Sequence, residues 1–186
     1  MQAIDPRQYS KAEQMAYWIN LYNALTVNLI LEEYPVGSIS EISASDSFGP
    51  WNDFIAEVSE QSLTLNDIEH RILRPIWKDD RIHFAVNCAS IGCPNLQPHA
   101  FTAENTEALL SKGAQEFVSH SRGVRFKDKS LVLSSIFDWY GNDFGDTKKQ
   151  QLEKLAEYAP SDTAEKLRNY QGAINYQYDW NLNSSD

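Results

Sequence analysis

The chain has few cationic side chains for its size. Among its 186 residues are 16 Lys and Arg against 26 Asp and Glu, which gives a formal net charge of -10 and a pI near 4.8. Because such a surface repels phosphate backbones and anionic lipid headgroups, nucleic acid is not an expected partner. The expected partner is a peptide or small-molecule substrate of unknown identity, and the oligomeric state stays open.

Long apolar runs are also missing. No stretch approaches the ~20 consecutive apolar residues that a bilayer span requires, and residues 1–8 lack the basic and apolar regions of a signal peptide. We therefore expect a soluble chain without a membrane span, forming a single domain over residues 1–186. Since a long helix begins as early as Ser10, we also expect that a natural N-terminal segment is missing. Two cysteines are too few to fix the compartment, so localisation is unknown, with periplasmic export expected if a signal segment has been removed.

Several catalytic signatures are absent from the sequence. It contains no Gly-rich phosphate loop, no Gly-x-Ser-x-Gly elbow and no dinucleotide fingerprint, which excludes the kinase, nucleotide-hydrolase and esterase classes that depend on them. Neither Cys-x-x-Cys nor His-Glu-x-x-His occurs. We predict no cofactor and no metal site. A zinc-dependent hydrolase is the third alternative, because zinc accepts the residue types of Glu69, His70, His83 and Cys88.

Apolar and aromatic residues are plentiful, at 42% and 12% of the chain, and their spacing predicts the elements. A capping box at Ser10 and Glu13 opens a helix, apolar nearly all round, that runs up to Pro35. The other predicted elements are a helix from Thr64 ended by Pro75, a strand over 82–91, a helix opened by Thr102, a hairpin of 124–126 with 131–133, helices over 135–144, 147–158 and 162–170, and an alternating strand over 174–182. Helices come first and no regular βαβ alternation is visible, so the predicted class is α+β, with a mostly antiparallel sheet packed with helices.

The most informative segment is the apolar run 82–91, which ends at Gly92-Cys93-Pro94. It carries His83 near its beginning and Cys88 near its end. Cys88 has three possible roles: a nucleophile activated by a nearby histidine, a buried small apolar residue, or one half of a disulfide with Cys93. The residues alone leave all three open.

A direct pairing of Cys88 with His83 conflicts with the predicted strand. Side chains alternate across a strand, so the two residues lie on opposite faces, and five residues span about 16 Å at roughly 3.3 Å each. The pair forms only if the strand ends or bulges before Cys88, which the turn residues from Asn87 onward permit. A structural histidine is the alternative role for His83.

Glu69 lies where a carboxylate needs a partner. On a helical wheel at about 100° per residue it falls inside the apolar face of the second helix, whereas His70 falls off that face. An ionised carboxylate aimed at a core costs several kcal/mol unless it is paired or hydrogen-bonded. We therefore predict that Glu69 is buried and reaches His83 or Cys88; the alternative is a structural salt bridge with an arginine such as Arg74 or Arg81.

Asn20 and Asn23 interrupt the apolar surface of the first helix one turn apart. Each can satisfy backbone groups of a neighbouring loop, or one of them can orient a histidine as the amide does in papain-like sites. Both are candidate orienting or substrate-binding residues.

Five ordered motifs carry a resemblance to a known family. They are WINLYNAL at 18–25, IEHRILR at 68–74, HFAVNCAS at 83–90, WYGNDF at 139–144 and YDWNLN at 178–183. Together they resemble the domain-of-unknown-function 547 family over essentially the whole chain.

This resemblance implies which residues stand at the signature positions of the family: Asn20, Asn23, Glu69, His70, His83 and Cys88. Cys93 stands where other members can carry a serine, which shifts weight from a disulfide to a lone Cys88. Bacterial members of the family look exported. In plant members the domain follows a coiled-coil region, which is compatible with a role in protein interaction. By fold-level analogy the domain is similar to papain-like or transglutaminase-like thiol enzymes.

The function predicted from these residues is a thiol-dependent hydrolase or acyl transferase acting on an amide or ester. Cys88 attacks, His83 is the base, His70 is a further catalytic candidate, and Glu69 or an asparagine orients the imidazole. The alternative is a non-catalytic protein-interaction or ligand-binding domain. The positions of the histidine nitrogens relative to Cys88 Sγ discriminate between them.

Overall fold

The long N-terminal helix is buried along its middle, while its last turn is exposed. In the computed structural model, which describes residues 1–43, 48–128 and 130–184, helix α1 covers Lys11–Glu33. Its predicted capping box is confirmed, with the Ser10 N–H donating to Glu13 Oε2 at 2.9 Å and the Glu13 N–H donating to Ser10 Oγ at 3.3 Å. Its buried residues include large apolar side chains: Met15, Trp18, Ile19, Leu21, Tyr22 and Leu25.

The second helical segment has an unusual geometry. Residues Asp67–Leu73 form a π-helix, which passes directly into helix α2 at Arg74–Trp77. The predicted stop at Pro75 is wrong, because the helical segment continues through this proline, which lies in the first turn of α2. The segment ends instead at Lys78, whose φ of 52° is left-handed.

The predicted strand over 82–91 is also wrong. Residues Asp80–Phe84 form a 3-10 helix, whose first turn is capped by the Asp79 side chain, and the chain then continues as a loop. The side chain of Asn23 takes the place of a neighbouring strand: its Nδ2 donates to Ala85 O at 2.9 Å, and its Oδ1 accepts from the Asn87 N–H at 2.8 Å. The opposite-face argument against pairing His83 with Cys88 therefore does not apply.

The remaining elements follow the predicted order with shifted boundaries. Helix α3 begins four residues after the predicted opening at Thr102, since Thr102 and Asn105 first form a capping turn. The 135–144 helix is split in two. The elements are β1 Ala56–Val58, β2 Gln61–Leu63, α3 Thr106–Ser119, β3 Val124–Lys127, β4 Ser130–Ser134, α4 Ile136–Trp139, α5 Gly141–Phe144, α6 Lys148–Tyr158, α7 Ser161–Arg168 and β5 Ile174–Gln177.

The strands form two small sheets. Strands β1 and β2 pair antiparallel, while β4 pairs antiparallel with β3, as the predicted hairpin requires, and parallel with β5. The α+β class is confirmed, with one antiparallel and one mixed sheet. The predicted last strand stops at Gln177, five residues early, and the chain beyond it makes an isolated bridge between Leu182 and Ser90.

Two apolar clusters meet at the segment that precedes Cys88. Ile82, Ala85 and Val86 belong to the cluster built around α1, whereas Phe84 belongs to the cluster of α3, α6 and the mixed sheet. This segment is consequently anchored on both sides. Within the described ranges, no helix combines the length and the apolar character that a bilayer crossing needs.

Candidate functional site

Cys88 lies in a loop that the side chain of Asn87 holds closed. Asn87 Oδ1 accepts from the Ala89 N–H at 2.8 Å, and its Nδ2 donates to Pro94 O at 2.7 Å. The residue after the cysteine, Ala89, has a φ of 59°. A left-handed non-glycine residue costs roughly 1–2 kcal/mol, and such strain concentrates at functional sites, where surrounding bonds enforce it.

The C-terminal segment 178–183 covers this loop and places a tyrosine on Cys88. The Gly92 N–H donates to Asp179 O at 2.8 Å. A Cβ atom at Gly92 would lie 2.8 Å from the backbone nitrogen of Asp179, so only glycine permits this approach. The approach holds Tyr178 with its hydroxyl 3.0 Å from Cys88 Sγ.

Hydrogen-bond partners surround the partly exposed thiol of Cys88. Besides Tyr178, its Sγ has the Ser90 hydroxyl at 3.2 Å, and the two hydroxyls lie 2.8 Å apart. Hydrogen bonds with Cys93, Ser90 and Tyr178 together outweigh burial and lower the pKa of Cys88 to about 7. Burial raises the pKa of Cys93 well above its usual range, so Cys88 is the thiol that ionises near neutral pH.

His83 lies between two carboxylates. Its Nε2 is 2.7 Å from Asp143 Oδ2, its Nδ1 is 3.6 Å from Glu69 Oε1, and its ring stacks on Tyr140 with centroids 4.3 Å apart. The residue is only 3% exposed. Burial lowers its pKa, but the hydrogen bond that the ring donates to Asp143 and the nearby Glu69 carboxylate more than offset this and raise the pKa of His83. Asp143 also accepts from Arg74 Nε at 2.6 Å, so His83 lies in a network of charged side chains.

Glu69 is buried, as the helical wheel predicts, and is 5% exposed. It reaches His83, one of the two predicted neighbours, rather than an arginine. Burial acts to raise the pKa of Glu69, but its hydrogen bond with His83, the charge of His70 and a hydrogen bond with Tyr22 lower it. The carboxylate is therefore ionised on a π-helix, a rare geometry that is frequent at functional sites.

Cys88, His83 and Glu69 line one small cavity of about 70 Å³. Its other walls are largely aromatic, and the further lining residues are Tyr22, Trp51, Val86, Cys93, Pro94, Ile136, Trp139, Tyr140, Tyr178 and Trp180. Within the described part of the chain, no histidine nitrogen hydrogen-bonds Cys88 Sγ, because both nitrogens of His83 face carboxylates. The structure thus brings the thiol and the imidazole to one cavity without joining them.

An aromatic rim leads from this cavity to a larger groove. Trp180 contacts Trp51, Trp139 and Tyr178 with ring centroids 5.7, 5.6 and 4.6 Å apart. Beyond the rim is a groove of about 870 Å³ that shares Trp139, Tyr178 and Trp180 with the cavity. These shared aromatic residues therefore form the border between the cavity that contains the thiol and a groove large enough for a ligand.

The other predicted residues lie outside the cavity. His70 Nδ1 is 3.0 Å from Arg74 Nη1, and burial lowers the pKa of His70. Asn20 bonds both backbone groups of Phe101, at 2.8 and 2.9 Å, and Asn23 clamps the backbone before Cys88. In the ranges that the structure describes, no group of three or more His, Cys, Asp and Glu is arranged to hold a metal ion, so the zinc hypothesis gains no ligand set.

Asp143 and Tyr178 are site residues that sequence reasoning missed. Asp143 is 60 positions from His83, and Tyr178 is 90 positions from Cys88. Both belong to motifs noted for their unusual composition, 139–144 and 178–183. That composition is the one available signal, since no spacing rule connects residues so far apart.

The fold and the cavity define an α+β domain with a partly exposed cysteine in an aromatic cavity. The chain belongs to the family described as "Protein of unknown function, DUF547", whose model matches residues 6–118. The match includes Cys88, His83 and Glu69, while Asp143 and Tyr178 lie beyond it. The resemblance, which was predicted over the whole chain, is therefore supported over residues 6–118. Comparison with curated proteins and with solved structures gives no match.

Proposed function

We propose that this chain is a thiol-dependent hydrolase or acyl transferase in which Cys88 attacks the carbonyl carbon of an amide or ester. The position of Cys88 Sγ carries the proposal: it faces an aromatic cavity with the Tyr178 hydroxyl at 3.0 Å and the Ser90 hydroxyl at 3.2 Å. Hydrogen bonding with this hydroxyl pair stabilises a thiolate, and a pKa of about 7 gives a substantial thiolate fraction at neutral pH. This activation needs no contact with a histidine.

His83 supplies the proton for the leaving group in this proposal. The carboxylates of Asp143 and Glu69 raise its pKa and so favour the protonated imidazole, and in this proposal His83 is an acid in the first step rather than the predicted base. Asp143 orients the ring through Nε2, which leaves Nδ1 on the side of Glu69 and the cavity. Glu69 then stabilises the imidazolium, the role that a buried carboxylate has beside a catalytic histidine.

The reaction has two balanced stages. The thiolate forms a bond to the carbonyl carbon, the C–N or C–O bond breaks, and the leaving group takes the proton of His83. Water or another acceptor then attacks the thioester and returns a proton to His83, while the C–S bond breaks and restores the thiolate. The groove beyond the aromatic rim provides room for the rest of a peptide or small-molecule substrate.

Intact-mass spectrometry and turnover with acetyl esters and amides test this proposal. We expect p-nitrophenyl acetate to give an acetyl adduct on Cys88 and repeated release of p-nitrophenolate, both lost in the Cys88→Ala variant. The His83→Gln variant should slow acylation by N-acetylglycine p-nitroanilide far more than acylation by the ester, because p-nitrophenolate leaves without a proton. His99→Ala, at an exposed position, is the matched control. A thiol that alkylates with iodoacetamide but never turns over either substrate overturns the proposal.

One observation favours a second function, a non-catalytic ligand-binding or interaction domain. Both nitrogens of His83 face carboxylates, so the charge network of His83, Glu69, Asp143 and Arg74 is satisfied without a substrate. Buried polar networks of this kind also serve to specify a unique packing. The same experiment separates the two functions, since a binding domain gives alkylation of Cys88 without turnover.

A further inference from the structure

Cys93 has a relation to Cys88 that the proposed reaction does not use. The Cys88 N–H donates to Cys93 Sγ at 3.0 Å, so the sulfur of Cys93 lies against the backbone of the other cysteine. Both sulfurs are free thiols and both residues line the same cavity. Cys93 is buried, at 4% exposure, while Cys88 is partly open to the cavity.

The loop between the two cysteines holds them together. The Cys93 N–H donates to Ser90 O at 3.0 Å, which closes a turn inside the loop. Asn87 joins its two ends, because its Nδ2 donates to Pro94 O at 2.7 Å. The residues immediately outside the cysteine pair are therefore fixed to each other, and the two thiols stay close without a covalent bond.

We infer that Cys88 and Cys93 form a reversible oxidation site, in which a hydroperoxide oxidises Cys88 and Cys93 resolves the product as an intramolecular disulfide. The Cys88 thiolate attacks one oxygen of hydrogen peroxide, an S–O bond forms, the O–O bond breaks, and the departing hydroxide takes a proton to become water. The Cys93 sulfur then bonds to the Cys88 sulfur, the S–O bond breaks, and the proton of Cys93 leaves with the oxygen as a second water. Two thiols and one peroxide thus give one disulfide and two waters.

The asymmetry between the two thiols suits these two steps. An accessible thiol that ionises near neutral pH reacts with peroxide first, and a neighbouring thiol captures the sulfenic acid before further oxidation. The hydroxyls of Tyr178 and Ser90, at 3.0 and 3.2 Å from Cys88 Sγ, are also close enough to hydrogen-bond an oxygen carried by that sulfur. The disulfide removes the sulfur that the proposed hydrolase needs, but its formation does not depend on that activity.

Stepwise addition of hydrogen peroxide to the folded protein tests the inference. The wild-type chain should lose both titratable thiols together, lose two hydrogens in mass, yield a linked Cys88–Cys93 peptide, and recover both thiols with dithiothreitol. The Cys93→Ser variant should instead first accumulate a dimedone-reactive sulfenic acid at Cys88, which further peroxide converts to the sulfinic acid. The Cys88→Ser variant should keep its single thiol.

Accumulation of sulfenic or sulfinic acid at Cys88 in the wild type, with Cys93 still free, overturns the inference. Unreactive thiols or disulfide-linked dimers do so equally. Thermal melting checks that the variants are folded, and if Cys93→Ser is not, the linked peptide of the wild type decides alone. Since thiol counts and masses are read without a substrate, failure of this site is distinct from failure of the proposed hydrolase.

Discussion

Replacing Asp143 with asparagine keeps the shape of the side chain and removes its charge. Asp143 accepts hydrogen bonds from His83 Nε2 at 2.7 Å and from Arg74 Nε at 2.6 Å. Hydrogen bonds to charged groups contribute about 1.5–3 kcal/mol each. The side chains of Asp143 and Arg74 are 29% and 27% exposed, so solvent screens part of both bonds. We therefore expect a total loss of about 2 kcal/mol, a fall in Tm of about 4–8 °C for a domain of this size.

The loss should depend on pH in a defined direction. The pKa of His83 is raised in the folded state, so its stabilising contribution is present below the unfolded value of about 6.5 and disappears as pH rises through the folded value. Hydrogen bonds with His83 and Arg74 depress the pKa of Asp143 in the folded state. The stabilising contribution of Asp143 is therefore present above the unfolded value of about 3.9 and disappears at lower pH. The variant should be most destabilised between these limits.

Urea unfolding of the wild type and the Asp143→Asn variant at about pH 5.5 and about pH 9.5 measures this difference. Asp138→Asn, which changes an exposed carboxylate in the neighbouring helix α4, is the matched control and should cost little at either pH. NMR titration of the His83 ring should also show a lower pKa in the Asp143→Asn variant. An equal deficit at both pH values, together with an unchanged His83 pKa, would refute the reasoning.

Three further predictions follow from the loop around the thiol. Tyr178→Phe removes a hydroxyl that hydrogen-bonds the thiolate and should raise the pKa of Cys88 by about one pH unit, the equivalent of ~1.4 kcal/mol. The variant should therefore react more slowly with iodoacetamide at neutral pH. An unchanged pH–rate profile would contradict the assigned hydrogen bond. Asn23→Ala leaves a buried carbonyl and a buried N–H without partners and should cost about 3 kcal/mol in urea unfolding, whereas a cost under about 1 kcal/mol would mean that water replaces the amide. Ala89→Val should destabilise the protein by about 1–2 kcal/mol because of the left-handed φ, while Ala89→Gly should be within about 0.5 kcal/mol of the wild type; equal Tm values for these two variants would count against the strained loop.

Sequence reasoning succeeded where neighbouring residues decide the outcome. The capping box at Ser10 depends on the backbone three residues away, and the 124–133 hairpin depends on two apolar runs and a short polar loop. The burial of Glu69 was predicted from its place among nearby apolar residues, and it holds although the segment is a π-helix rather than the α-helix of the wheel. In each case the determining interactions lie within one turn of helix or one hairpin, so the local order of residues is sufficient.

The 82–91 segment failed because an apolar run alone does not distinguish a buried strand from other buried backbone. Its conformation was decided by Asn23, more than sixty residues away, whose amide satisfies the backbone groups that a neighbouring strand would have paired. Tertiary structure likewise brought Asp143 to His83 and Tyr178 to Cys88. These contacts depend on how helices and sheets pack across the whole chain, and the spacing of residues along the sequence does not determine the energy of that packing.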